Sequence, residues 1–161
     1  MAIVTGRVKT QKLKSSLLYQ DELLVFLKNN HPKAKKPFFS ADDFRDEIFV
    51  SETSQREWMG THKSFFERLA TNPKRIMQVG HGEAVMALIK SGMAITADTR
   101  HKLAIFKKDK SIVTLPITKS GLTTEYFLVS DANLDETSPE AVVIEKLNEV
   151  ASRGSLKKSV S

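Results

Sequence analysis

Two short turns carry the residue types that could hold a ligand. The first is Ser51-Glu52-Thr53-Ser54, directly after Phe49-Val50; the second is Gly80-His81-Gly82, directly after Gln78-Val79. Each stands between a strand-like segment and a helix-like one. The first N–H groups of a helix have no partner inside the helix, and the aligned peptide dipoles make that end positive. Small hydroxyl residues and glycines there let a carboxylate approach the backbone closely. In an open α/β sheet such turns gather outside the carboxyl ends of the strands, where ligands bind. The chemistry is recognition of a small carboxylate or amino acid. On local sequence alone the plainer reading is preferred, that Thr53, Ser54 and Gly82 only cap their helices.

Other chemistries find little support. No G-x-S-x-G elbow and no Gly-rich phosphate or dinucleotide loop occurs, and the chain has only 7 glycines. His31, His62, His81 and His101 are scattered, with no pair at i, i+4, and there is no cysteine. A zinc site needs three or four converging ligands, so neither metal nor cofactor is expected. Nothing local prepares a nucleophile, so an enzyme is not expected either.

The elements around the turns follow from pattern. Ala2 to Gly6 reads as a short buried strand ending in a turn, followed by a basic connector from Arg7 to Ser16. Glu22 to Leu27 is a continuous apolar run, as in a strand covered on both faces, and it stops at Asn29-Asn30-His31-Pro32. Ser40 starts a short helix that ends near Asp46, and Ile48 to Val50 is a brief strand. Ser54-Gln55-Arg56-Glu57 has capping-box spacing, and Trp58, His62, Phe65 and Leu69 recur with helical period, which predicts a helix over 55–70. A strand over 75–79 precedes a helix over 82–91 that Gly92 terminates. Strands follow at 93–97, 103–106, 112–117 and 124–129. Ser138-Pro139-Glu140 opens a last helix with Val143, Leu147 and Val150 as its apolar stripe, and the tail from Ser152 is expected to fray. The alternation predicts an α/β domain with a mixed, largely parallel sheet.

Composition places the chain among ordinary globular proteins. Its 161 residues are 40% hydrophobic and 27% charged. No apolar run reaches the roughly 18–20 residues that span a bilayer. Met1 to Gly6 lacks the apolar centre of a signal peptide, so the cytoplasm is the expected compartment and no membrane partner is expected. The net charge of +6 lies wholly in residues 1–36, with eight basic and two acidic residues; the remainder balances at 17 and 17. A basic end can contact nucleic acid, but no aromatic residue is interleaved with Lys9, Lys12 and Lys14 to stack on bases, and no helix-turn-helix pattern appears.

Taken in order, the segments resemble the effector-binding domain of LysR-type transcriptional regulators. Ala2-Ile3-Val4-Thr5-Gly6 is similar to that family's D-L-A-I-x-x-G strand. Asp21 to Phe26 followed by His31-Pro32 resembles E-L-V-L-V … H-P-L-A. Ser40-Ala41-Asp42-Asp43-Phe44 through Phe49-Val50 resembles S-x-x-D-L … P-F-I. Glu83 to Ala97 resembles E-A-I-x-x-L-V-A-A-G-L-G-I-A, and Tyr126 to Val129 with Ser138-Pro139 resembles the closing strand and helix. The resemblance covers about residues 2–152. The branch nearest by eye is that of the methionine-biosynthesis regulators that respond to homocysteine.

The resemblance implies a periplasmic-binding-protein-like (type 2) lobe with a mixed β-sheet flanked by helices, plus remnants of the other lobe. Residues 1–15 would be a first-lobe strand and linker, 16–128 the second lobe, and 129–161 a helix returning to the first lobe with its tail. A small polar metabolite, an amino acid or a carboxylate, would be the effector, held between lobes. The family's contacts carry over to Ser51, Thr53 and Ser54, to Gly80, His81 and Gly82, and to Thr96. Two departures flank them: Ala94 where the family has glycine, and Asp98-Thr99 where it often has L-P. DNA would be reached only through a missing N-terminal domain. A surface buried in the parent would be exposed here, which invites self-association. The rivals are a stand-alone metabolite-binding protein, a small α/β enzyme, and a nucleic-acid contact through residues 1–36.

Overall fold

The structure is a computed structural model that describes residues 1–52, 65–101 and 109–156, with side chains up to 152. Among these are seven strands: β1 (Ala2–Thr5), β2 (Leu13–Lys28), β3 (Ile48–Ser51), β4 (Arg75–Gln78), β5 (Thr96–Thr99), β6 (Ile112–Pro116) and β7 (Leu122–Asp131). Helix α1 is Gly82–Ser91, α2 is Pro139–Leu156, and a short 3-10 helix covers Asp42–Asp46. The chain divides into two compact units. One joins Met1–Asp21 to Thr123–Ser161; the other is Glu22–Leu122.

The Glu22–Leu122 unit is built on the second half of β2. That half pairs antiparallel with β5 (Val25 opposite Ala97) and with β6 (Val25 opposite Leu115). Its apolar run is continuous because both faces are covered. Val25 and Leu27 enter a cluster with Phe39, Phe44, Phe49, Phe65, Phe66, Ile95 and Ile117. Leu24 and Phe26 enter a second cluster with Val50, Val85, Met86 and Ile89. Neighbouring residues of β3, Phe49 and Val50, divide between the same two clusters, as the two-residue strand period requires. Phe44 is the hub of the first cluster, edge-on to Phe39, Phe65 and Phe66 with centroids 4.8, 5.8 and 5.6 Å away. Edge-to-face rings at such distances add roughly 0.5–1.5 kcal/mol per pair beyond burial.

Caps follow the local sequence. Ser40 and Asp43 form a reciprocal pair ahead of the 3-10 helix. The Ser40 N–H donates to Asp43 Oδ2 at 2.8 Å, and the Asp43 N–H donates to Ser40 Oγ at 3.4 Å. α1 spans the expected residues and ends at Gly92, whose φ of 80° is the left-handed conformation that glycine adopts without a Cβ clash.

The Met1–Asp21 and Thr123–Ser161 unit holds three neighbouring strands and α2. β1 pairs with β7 from Ala2 opposite Val129 to Thr5 opposite Tyr126, and the first half of β2 lies on the other side of β7. Tyr19 stacks on Tyr126 at 4.6 Å, and Gln20 Nε2 donates to Glu125 Oε1 at 2.7 Å. Ser138 Oγ accepts from the Ala141 N–H at 3.2 Å and so caps α2.

Several expectations change. Pairing within the five-stranded sheet is antiparallel wherever its register is defined; the parallel ladder is the short β3–β4 pair. β1 forms where expected but is exposed rather than buried. β2 begins at Leu13, so the connector from Arg7 is shorter than predicted; the half-exposed polar stretch Lys14-Ser15-Ser16 hid the strand. β5 is Thr96–Thr99, not 93–97. On α2 the half-buried apolar positions are Ala141, Ile144, Leu147 and Ala151, while Val143 and Val150 are exposed, and the helix continues to Leu156. The predicted helix over 55–70 is described only from 65, and the predicted strand over 103–106 lies outside the described residues.

Candidate functional site

β3 is the centre of the site because it is paired on both edges. On one side β4 runs parallel to it, Ile48 opposite Arg75 and Ser51 opposite Gln78. On the other, the Val50 N–H donates to Ile95 O at 2.8 Å and the Ile95 N–H to Ile48 O at 2.9 Å. The carboxyl ends of β3 and β4 therefore finish side by side. The ladder is extended by the Val79 N–H donating to Ser51 O at 3.0 Å. Thr96 closes the other flank: its hydroxyl donates to Val50 O at 2.7 Å in a buried setting.

Three residues, Val79, Gly80 and His81, separate β4 from α1. His81 is extended, with φ −146° and ψ 141°, and its carbonyl accepts from the Ala84 and Val85 N–H groups at 3.0 and 3.2 Å. Its side chain makes no capping hydrogen bond. The N–H groups of Gly82 and Glu83 thus precede the first intrahelical bond, at the positive end of the helix. The helix is held down by Val85, Met86 and Ile89 in the core beside Val50, so this end is fixed relative to the tip of β3.

Of the expected site residues, Ser51, Gly80, His81, Gly82 and Thr96 fall on these neighbouring segments. Ser51 is buried, Gly80 and His81 are exposed, and Thr96 is buried. Thr53 and Ser54 lie outside the described residues. Thr96 carries one restriction that sequence did not show. Its proton is committed to Val50 O, so towards a further group its oxygen can act only as an acceptor.

Sequence reasoning missed Glu52. A Cβ on Gly82 would stand 2.8 Å from Glu52 Oε2, too close for a side chain. The glycine is what lets this carboxylate lie against the start of α1. The signal was present, since Glu52 sits inside the Ser51–Ser54 turn, among hydroxyl residues that suit an anion better than a second carboxylate does. The candidate site therefore combines backbone N–H donors with two acceptors, the Glu52 carboxylate and the Thr96 hydroxyl oxygen.

The polar cluster around His31 is separate in sequence and role. The Lys33 N–H donates to His31 Nδ1 at 3.2 Å, so Nε2 carries the proton and faces Glu47 Oε2 at 3.3 Å. Lys33 Nζ meets Glu47 Oε1 at 2.8 Å, and Lys36 Nζ meets Asp43 Oδ2 at 2.5 Å. Burial pushes the Asp43 carboxyl up, but the hydrogen bonds from Lys36 and Ser40 outweigh it and hold the group below its ordinary value. This cluster fastens the loop after β2 to the 3-10 helix. Among the described residues no three His, Asp or Glu side chains gather as a metal site, and no helix is long and apolar enough to cross a membrane.

An antiparallel sheet, a short parallel strand pair and helices, with the start of α1 at the end of that pair, match LysR regulatory domains of the periplasmic-binding-protein-like type 2 fold. The chain belongs to the LysR substrate binding domain family, whose profile matches residues 1–152. Its fold is that of solved regulatory domains. The regulatory domain of MetR from N. meningitidis superposes with a TM-score of 0.76 at 19% identity, over 92% of this chain and 69% of that one. The CcmR regulatory domain of Synechocystis PCC6803, solved with 2-PG, gives 0.74 at 20% identity over 92% and 72%. The BenM effector binding domain with its effector benzoate gives 0.71 at 20% identity over 95% and 70%. No curated protein matches the chain by sequence. Domains of this family are the effector-binding regulatory parts of LysR regulators.

Proposed function

We propose that this chain senses a small polar metabolite with both a carboxylate and an amino group, and that Ser51, Glu52, Thr53, Ser54, Gly80, His81, Gly82 and Thr96 form its contacts in the Glu22–Leu122 unit. The carrying observation is the side-by-side ending of β3 and β4 with the start of α1. The N–H groups of Gly82 and Glu83 suit a carboxylate. Glu52 and the acceptor-only Thr96 oxygen suit an ammonium group, which favours an amino acid over a plain carboxylate. Neither group is a prepared nucleophile, so the site binds without turnover, and the chain is not an enzyme.

The Glu22–Leu122 unit serves as the second lobe of a cytoplasmic LysR-type regulator, and the other unit as part of its first lobe. Effector binding shifts the balance between arrangements of the subunits, which associate with one another. Operator DNA is contacted by a separate N-terminal region, not by this chain. The methionine-biosynthesis branch is our narrower reading. MetR and CcmR stand at nearly equal identity to this chain, so the titration panel below decides the branch.

Calorimetric titration with a panel of sulfur-containing amino acids, their deaminated acids and benzoate tests the proposal. Saturable binding of an amino acid, with its deaminated acid at least tenfold weaker, is expected. Glu52→Gln should remove most of that discrimination. Equal binding of both forms, or a preference that Glu52→Gln leaves intact, would overturn the amino-acid assignment.

A further inference from the structure

We infer that Asp98 is the third acceptor for the effector's ammonium group, and that it confines the site to amino acids whose nitrogen is unsubstituted. The inference rests on the amino-acid reading above and names the residue that completes the reading of the nitrogen. An ammonium group carries three N–H donors, and each one needs an acceptor once it leaves water. The Glu52 carboxylate and the Thr96 hydroxyl oxygen supply two. A third is required on the same side of the sheet.

Register places Asp98 there. Side chains alternate between faces along a strand, so on β5 Asp98 shares a face with Thr96. The partners on β2 agree: Thr96 stands opposite Phe26 and Asp98 opposite Leu24. Phe26 and Leu24 both belong to the cluster that holds Val50 and the α1 residues Val85 and Met86. The shared face is therefore the one on which α1 packs. Along the strands, Ile95 bridges Phe49 in the parallel sense. Three residues further along each segment, Asp98 comes level with Glu52. β4 ends in the same row, with Gln78 opposite Ser51. Asp98 thus belongs to the carboxyl-end edge, where α/β sheets bind ligands.

Spacing and charge suit one small cation. Same-face neighbours on a strand stand about 6.5–7 Å apart. A nitrogen between Thr96 and Asp98, bonded at about 2.8–3.0 Å to each side chain, fills that gap. Asp98 is half-buried and held in place, since the Thr99 N–H donates to its Oδ1 at 2.8 Å. A carboxylate has about four lone-pair sites, so this bond orients the group and leaves it able to accept again. Arg100, just past β5, gives its Nε–H to Glu22 Oε2 at 3.0 Å, so the nearest cation in sequence is balanced by another acid. Two carboxylates level on one face repel each other, and a cation between them turns that repulsion into attraction. The segment also departs here from the L-P of the pattern it otherwise follows. A leucine at this position could accept no hydrogen bond.

The test is calorimetric titration of the whole 161-residue chain. The probes are L-homocysteine, L-methionine and L-cysteine, their N-methyl derivatives and their deaminated acids. Wild type should bind the tightest of the three amino acids at least tenfold more tightly than its N-methyl derivative, which has one donor fewer. Asp98→Leu should bind that amino acid at least tenfold more weakly than wild type and lose the preference against N-methylation. Its affinity for the deaminated acid, which has no ammonium group, should stay at the wild-type value. Asp98→Asn, which keeps an oxygen for the Thr99 N–H, should fall between the two. A damaged strand would instead weaken all three ligands together, and that result would overturn the inference. So would an N-methyl derivative that wild type binds as tightly as its parent. Amino-acid binding that Glu52→Gln weakens and Asp98→Leu leaves intact would overturn this inference alone. Failure of wild type to bind any of the amino acids would overturn the amino-acid reading and this inference with it.

Discussion

The Glu22–Leu122 unit is closed on itself and the other unit is open. Among the described residues, 19 of the 22 buried hydrophobic side chains belong to Glu22–Leu122, and only Phe127, Leu128 and Val129 to the other unit. The exposed large hydrophobics divide the opposite way. Met1, Ile3, Leu13, Leu17, Val142, Val143 and Val150 lie in the open unit, against Ile76 and Met93 in the closed one. An apolar side chain contributes stability only as far as it leaves water. The closed unit therefore carries most of the buried apolar surface among the described residues, whereas the open one leaves more of its apolar side chains in water.

The largest expected effect follows from that contrast. Phe44→Ala should cost about 3–5 kcal/mol by chemical denaturation, because it empties the hub of an aromatic cluster. Val150→Ala on the open unit should stay within about 0.5 kcal/mol for the monomer. Comparable costs at the two positions would break the comparison.

Gly92→Ala comes next, at about 1 kcal/mol or more. The new methyl group would have to adopt φ 80° and would stand 3.3 Å from Lys28 Cδ. A melting temperature within a degree of wild type would contradict the cap assignment.

Acid should loosen the closed unit through Asp43. Its carboxyl is held below the ordinary value of 3.8. The folded state therefore binds this proton less readily than the unfolded state. The stabilisation is whole above the unfolded value and is lost as pH falls through the folded one. Asp43→Asn should flatten the fall in melting temperature below about pH 4; an unchanged profile would remove Asp43 from the account.

The smallest expected effect is at Gly82. Alanine there must displace Glu52 Oε2, the far end of an exposed side chain. Stability should change by less than about 0.5 kcal/mol, while amino-acid binding weakens severalfold. The opposite order would make Gly82 a packing residue.

Sequence showed the closed unit well and the open one poorly, for physical reasons. Leu23 to Leu27 and Phe49-Val50 are covered on both faces, so their apolar runs announce strands. The length of β2 was invisible because Lys14, Ser15 and Ser16 sit in a part-exposed strand where pairing, not burial, sets conformation. The orientation of α2 failed for a related reason. Val143, Leu147 and Val150 share a helical face by spacing, but Ile144 takes the inward position, and a valine every seventh residue can face water. At the site, the turns that follow β3 and β4 were readable from Ser51, His81 and Gly82. The commitment of the Thr96 hydroxyl and the approach of Glu52 to Gly82 depend on register between distant segments, which no local pattern encodes.

The central claim is that the tips of β3 and β4 and the start of α1 form an amino-acid site. Amide chemical-shift mapping of the isotope-labelled chain, titrated with the tightest amino acid of the panel, tests it most directly. The account predicts saturating shifts concentrated at Ser51, Glu52, Gly80 to Glu83 and Thr96. Shifts confined to residues 1–21 and 123–156, or none at these positions while calorimetry reports binding, would contradict it.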